Sequence, residues 1–377
     1  MAAMPKITAY PVGNADTLRM DLRDGRKVLV DYADMRNPDD RDDKRIDLPA
    51  ELRADLRAAG TDTHDVVAFT HLDDDHVRGS SRFFWFDHAA KYQGSDRSKI
   101  GELWVPAGAL TEVSCENCAR AIRQEARHRL REGYGIRVFS RPDALKWWFE
   151  REKLDMASRR HLITDAGELV PRFDKHDAGG VEFFIHSPFG WRRDEREVED
   201  RNQDSLVFQA TFHEGGQDTR TLFTADMDWP GLNDVVDITR KHGNAHRLHW
   251  DIMKLAHHCS YLSLSDDKGT DKTTPTNQVR WLFEEAGRPG GILLSSSWPI
   301  PLKGTDEDKD TQPPHRQAAN YYRDVGAMKG GELVVTMERP AVKPRPTVID
   351  ITRRGARLLP STVAPAAAIA ATPMRAG

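Results

Sequence analysis

The sequence predicts strands of a sheet sandwich with helices beside them: three apolar runs carry the strands, and Ile122, Ala126 and Leu130 at helical spacing carry a helix. Val66-Val-Ala-Phe-Thr70 reads as a buried strand and leads directly into His71-Leu-Asp-Asp-Asp-His76. Thr221-Leu-Phe-Thr-Ala225 ends at Asp226, and Ile252-Met-Lys-Leu-Ala256 ends at His257 and His258. Short apolar runs of this length, bounded by polar residues, suit strands. Strand ends carrying His and Asp are what a metal pocket at one edge of a sandwich requires.

Taken in chain order, the N-terminus Met1-Ala-Ala-Met-Pro-Lys6 runs straight into a strand-like segment with no apolar signal region. The loop after Thr70 offers His71, Asp73, Asp75 and His76 as ligands. Carboxylates in a row at a strand mouth would repel one another and cost several kcal/mol apiece unless a cation neutralised them. A divalent ion does this and keeps the histidines neutral. The plain alternative is a solvated acidic turn, which is the role expected for Asp74. From Ala119 to Glu132, Ile122, Ala126 and Leu130 fall at helical spacing. Arg120, Arg123, Arg127 and Arg131 form an adjacent stripe, able to hold phosphates or to lie solvated beside Glu125 and Glu132. Trp147-Trp148-Phe149 is expected to pack against the core. Cys115 and Cys118 lack a second ligand pair for structural zinc.

Arg192 to Arg201 is a dense mixed-charge run expected as a loop, as are Ser265 to Asn277 and Gly304 to Pro314. The acids of the last lack the glycine and terminal glutamate of a calcium-binding loop. Asp226 is placed to bridge two metal ions. Ser260 and Ser295-Ser-Ser297 offer hydroxyls, but no separate Asp-His relay accompanies them. Pro360 to Gly377 is rich in Ala and Pro and is expected as a disordered tail. There is no internal repeat, P-loop or dinucleotide fingerprint.

The spacing H-x-D-x-D-H resembles the H-x-H-x-D-H signature of the metallo-β-lactamase superfamily, with Asp73 at the place of the second His. This variant is similar to the branch holding the hydrolase domains of ComEC-type DNA-uptake proteins and the phosphorylcholine esterases. Further matches run in family order. Val12-Gly-Asn-Ala-Asp16 resembles V-G-x-G-D, and Val28-Leu-Val-Asp-Tyr32 resembles the second strand, ending at Asp31. Asn202-Gln-Asp-Ser-Leu-Val207 resembles N-x-N-S-L-V, and Leu222-Phe-Thr-Ala-Asp226 resembles L-L-T-G-D. Met253-Lys-Leu-Ala-His-His-Cys-Ser260 resembles L-K-x-x-H-H-G-S, and Pro314-His315 a late histidine motif. Ala15, Ala225 and Cys259 stand where the motifs have glycine.

The resemblance implies a four-layer αβ/βα sandwich over residues 1–345, with residues 80–170 as a helix-rich insertion. Residues 346–377 would be a C-terminal strand or extension and the tail. It implies that His71 and Asp73 hold a first ion, that Asp75, His76 and one of His257 and His258 hold a second, and that Asp226 bridges. Asp75 and Asp226 would be catalytic, and His315, Asn202, Arg123 and Arg127 would meet substrate. The further ligand many relatives supply from mid-chain is open among His176, His186, His213, Asn202 and Asp204. Two divalent ions stabilise a shared hydroxide near neutral pH. Zinc is the first expectation, with manganese competing because Asp73 hardens the site.

The implied reaction is phosphodiester hydrolysis, with nucleic acid or a nucleotide among the substrates. The alternatives are an acyl metallo-hydrolase for lactones or thioesters, and a metal-stabilised regulatory component. A net charge of −4 makes no global electrostatic case for nucleic acid. Charged residues are 30% of the chain, and no stretch approaches the ~20 apolar residues of a membrane span. With three cysteines, one thiol is left over, and a reducing cytoplasm is the expected compartment. Nothing in the sequence indicates an oligomeric state.

Overall fold

The computed structural model describes residues 4–189 and 201–361. Most of the mixed-charge run from Arg192, and most of the Ala/Pro-rich tail, lie outside the described residues. Period-two alternation decides the architecture, because successive strand side chains face opposite sides of a sheet. Val28 and Val30 pack with one apolar cluster while Leu29 between them packs with another. The same split separates Val66 and Ala68 from Val67, and Trp104 from Leu103 and Val105. Strands that are apolar on both faces must be covered on both faces.

The large sheet takes nine strands. They are β1 (Lys6–Ala9), β2 (Leu18–Asp21), β3 (Lys27–Val30), β4 (Thr63–Ala68), β5 (Lys99–Pro106), β6 (Ile136–Phe139) and β7 (Ile163–Thr164), completed by a C-terminal hairpin. The second sheet takes six: β8 (Val181–Ser187), β9 (Val207–Glu214), β10 (Gln217–Phe223), β11 (Trp250–Lys254), β12 (Gly287–Ser295) and β13 (Glu332–Val335). The hairpin is β14 (Thr347–Thr352) and β15 (Gly355–Leu358), and β14 pairs antiparallel with β1. From β3 to β7 neighbouring strands run parallel, as do β10 to β13.

Between the sheets lies a core holding Val28, Val66 and Trp104 from one side and Phe183, Phe208, Phe223 and Ile252 from the other. Trp104 meets Phe139, Phe173 and Phe183 edge to face, with centroids 5.2–5.6 Å apart. Truncating so large a buried ring would cost about 3–5 kcal/mol. The outer face of the large sheet is covered by the helices Leu48–Ala58, Asn117–Glu132 and Asp143–Arg151. Trp229–Lys241, Asn277–Glu284 and Arg316–Lys329 cover the other sheet. The molecule is therefore the expected four-layer αβ/βα sandwich.

One expectation about its parts needs correction. The segment 80–170 is not a helical insertion, since it supplies β5, β6 and β7 of the large sheet. Of the strand or extension expected after residue 345, the strand is present: residues 347–358 form a hairpin at the other edge of that sheet. The helical face expected from Ile122, Ala126 and Leu130 is the buried one. Trp148 and Phe149 are buried, while Trp147 is exposed. No helix among the described residues is long and apolar enough to cross a membrane.

Candidate metal centre

The chain leaves β4 at Ala68 and reaches His71 through Thr70, then turns through the one-turn helix Asp74–Val77. That turn, with Asp73 at its N-cap, buries His76. Beyond β10 the backbone reaches Asp226 through Ala225, at φ 47°. Beyond β11 three consecutive residues, His257, His258 and Cys259, have φ of 48°, 52° and 68°. Left-handed geometry costs non-glycine residues about 1–3 kcal/mol each and clusters at functional sites. Ala225 and Cys259 are two of the three positions where the chain departs from the motif glycines. Both still take the conformation glycine would favour. A hydrogen bond from His257 N to Ala225 O (3.2 Å) ties the two loops together.

These loops bring Asp75, His76, Asp226 and His258 together, with one ligand atom from each lying within 4.8 Å of the others. Asp226 Oδ1 is 3.3 Å from His76 Nε2, and Asp226 Oδ2 is 3.1 Å from His258 Nε2. Asp75 Oδ2 is 3.2 Å from the same His258 nitrogen. The His71 ring lies against that of His76, with centroids 3.9 Å apart.

The donors fit a divalent ion. Buried His71 Nε2, His76 Nε2 and Asp226 Oδ1 have no hydrogen-bond partner. The 3.3 Å contact between the last two is thus an ion-pair distance without hydrogen-bond geometry. Buried polar atoms left in this state are costly unless something else satisfies them. Two carboxylates and two imidazoles suit zinc or manganese.

Ring orientation is set from behind. His76 Nδ1 lies 2.8 Å from Asp31 Oδ2, and His258 Nδ1 lies 2.8 Å from the carbonyl of Ser296. Both partners only accept, so each Nδ1 donates and each Nε2 faces the cluster. Asp31 is itself fixed by the backbone N–H (2.7 Å) and hydroxyl (2.7 Å) of Thr70. Asp16 donates its backbone N–H to Asp75 O (3.0 Å), and its carboxylate pairs with buried Lys254.

The electrostatics follow from this packing. Burial, and the neighbouring His76, push His71 down to about 4, so its ring is neutral near pH 7. Burial also opposes charge on His258, but Asp226 and Asp75 outweigh it and carry the group up to about 10. His76 is likewise raised against burial, by Asp226 and Asp31. Asp226 is buried, yet the two histidines hold its carboxyl well below the usual range.

The other expected residues fall in different places. His257 turns away, with Nδ1 3.3 Å from Asp228 Oδ1, so of the His257/His258 pair only His258 joins the cluster. Asp73 Oδ2 is 3.7 Å from His71 Nε2, but its other oxygen is held by Arg201. Asp74 is exposed and pairs with Arg78. Asn202 lies in the turn after Arg201, its carbonyl accepting from Ser205 N at 3.3 Å. His315 is buried beside the His257–Cys259 loop, where its backbone N–H reaches Cys259 O (3.1 Å) and its Nδ1 accepts from Tyr261 N (3.3 Å).

Arg123 and Arg127 require a correction. Arg123 Nη1 donates to the carbonyls of Glu112 (2.7 Å) and Val113 (2.8 Å), and Arg127 Nε donates to that of Leu110 (2.8 Å). They hold the carbonyl end of the helix Ala107–Thr111 and do not form a free phosphate-binding row. Of the mid-chain candidates, His186 bonds Thr239 Oγ1 and Arg247 O, and His213 bonds Asp218 and meets the His176 ring edge to face.

Sequence reasoning did not place Asp16, Asp31, Lys254 or Arg201 at the site. A lysine inside the apolar run 252–256 was a usable sign of a buried ion pair. Nothing marked Arg201, which meets Asp73 from 128 positions away.

No protein-family model matches the chain, and no curated protein matches it. Among solved structures it is similar to a diphosphatase from the PhnP family, at 12% identity over 88% of this chain and 94% of that one, with a TM-score of 0.32. It is also similar to Zn(2+)-bound PqqB from Methylobacterium extorquens, at 12% identity over 88% and 97%, with a TM-score of 0.36. A third is the metallo-β-lactamase SMB-1 bound to 2-mercaptoethanesulfonate, at 14% identity over 67% and 79%, with a TM-score of 0.30. Likeness at this level says nothing of chemistry, which rests on the residues described above.

Proposed function

We propose that this chain is a metal-dependent hydrolase centred on Asp75, His76, Asp226 and His258, and that its substrate is a phosphodiester. The observation that supports it is the meeting of these four donors from three separate loops, within 4.8 Å of one another. Two carboxylates and two histidines so close together, three of the four buried, are an expensive arrangement without a cation. A bound divalent ion would supply acidified water and offset the charge that develops on the attacked group. Asp226 reaches both histidines, one with each oxygen, and so sets their separation. Asp31 and the Ser296 carbonyl hold the imidazoles with Nε2 turned inward. His71, neutral and buried, adds a further nitrogen at the rim.

The phosphodiester is favoured by the motif resemblance to a branch that acts on phosphate esters, and fold alone does not choose a substrate. The experiment is to strip the purified chain with a chelator, reload it with zinc or manganese, and assay a chromogenic phosphodiester beside a lactone and a thioester. Diester cleavage should appear only after reloading. Asp226→Asn should lower it by about 100-fold or more, because both histidines lose their shared partner. Undiminished activity in the stripped protein would remove the metal from the mechanism. Cleavage of the lactone or thioester alone would replace the substrate class. Metal uptake with no hydrolysis would leave a metal-stabilised binding component.

A further inference from the structure

We infer that Arg201 stands in for one of the two ions such a centre would be expected to hold, so that the chain takes up a single divalent cation. The inference rests on the metal-dependent reading above. Asp73 is the acid at the place of the motif's second histidine, and it is already neutralised. Arg201 Nη1 donates to Asp73 Oδ1 at 2.6 Å and also approaches the carbonyl of Leu72 at 3.3 Å. The same guanidinium is braced from its far side by Glu112 Oε1, which accepts from Nε at 2.9 Å and also from Nη2. His71, Leu72, Glu112, Arg201 and Asp204 line one small recess. The Arg201 guanidinium, permanently charged and planar, is held beside that recess by two carboxylates from other parts of the chain.

The ligand geometry agrees independently. Among the described residues, the groups of three or more donors close enough to share an ion are Asp75–His76–Asp226–His258 and Asp16–Asp31–His76. Neither includes His71 or Asp73. The second group is held together from within, by Lys254 on Asp16 and by Thr70 and His76 on Asp31. The histidines that would complete a first site are engaged elsewhere. His186 sits between Thr239 and Arg247, and His213 between Asp218 and His176. An ion beside His71 would have to displace Arg201 from Asp73 and then sit next to its positive charge.

The test is a calorimetric titration of the metal-stripped full-length chain with zinc, checked by elemental analysis after dialysis. Wild type should take up one equivalent. Arg201→Gln should gain a second, because Asp73 is released beside His71. Asp73→Asn should keep the one equivalent at wild-type affinity, and this arm holds whether or not Arg201 is needed for folding. Two equivalents in wild type would overturn the inference while leaving the hydrolase reading intact. One equivalent in a folded Arg201→Gln, or loss of the wild-type equivalent in Asp73→Asn, would also overturn it. No uptake by wild type would overturn the metal reading itself, and the inference with it.

Discussion

Asp31 and Asp74 separate residues that serve the centre from residues that only neighbour it. Asp31 is buried and accepts from His76 Nδ1, Thr70 N and Thr70 Oγ1. Asp31→Ala would leave His76 free to turn and to change tautomer, and should weaken metal affinity by about 10–100-fold. Asp74 is exposed and pairs with Arg78, a contact worth about 0–1 kcal/mol. Asp74→Asn should therefore leave affinity unchanged. A competition titration against a chromogenic chelator reads both variants, and equal losses would show that the loop has been misassigned. The same residues show what was legible. His71, Asp75 and His76 were visible because they lie side by side in sequence. The choice between His257 and His258 was not, because it depends on left-handed backbone at both. Arg201 was hidden because its partners, Asp73 and Glu112, are 128 and 89 residues away.

At the scale of elements, the strands were legible wherever an apolar run ended abruptly in polar residues, as at β4, β10 and β11. Residues 80–170 were misjudged because the helix Asn117–Glu132 gives a strong periodic signal. Of the strands beside it, β6 and β7 are short, with four and two residues, and β5 and β6 carry charged residues such as Glu102 and Arg137. Buried arginines follow the same pattern, since they look like a surface stripe until their acceptors are known. Arg123→Ala should lower stability by about 1–3 kcal/mol, because two carbonyls lose a charged donor. It should do so without a salt-dependent effect on polynucleotide binding, and chemical denaturation with a salt series checks both. Gly79 closes the metal loop at φ 81°, where a Cβ would lie 2.9 Å from Asp34 Cβ. Gly79→Ala should cost about 1–3 kcal/mol through backbone strain and that overlap. An unchanged melting temperature would contradict this account of the turn.

Across the whole molecule, acid sensitivity should come from His64, far from the centre, as well as from His71 beside it. His64 in β4 is buried, with Nδ1 2.9 Å from Ser98 Oγ, and burial with nearby Arg19 and Lys27 pushes it down to about 3. In the unfolded chain its ordinary value is 6.5. Between these values the unfolded state binds the extra proton, so the contribution is fully present above pH 6.5 and is lost as pH falls towards 3. His64→Gln should therefore flatten the decline of denaturation midpoints below pH 6.5 while leaving the plateau slope above it unchanged. Equal acid slopes in variant and wild type would mean that this histidine is not held neutral.

The four-layer plan followed from alternating strands that must be covered on both faces, and that plan places the ends of β4, β10 and β11 together. The claim that depends on all of this is that one cation belongs among Asp75, His76, Asp226 and His258. The most direct measurement is anomalous diffraction from crystals of the zinc-loaded chain, collected on both sides of the zinc absorption edge. One strong anomalous peak bounded by those four side chains is expected, with Arg201 still on Asp73. A peak elsewhere, or none at full zinc occupancy in solution, would contradict it.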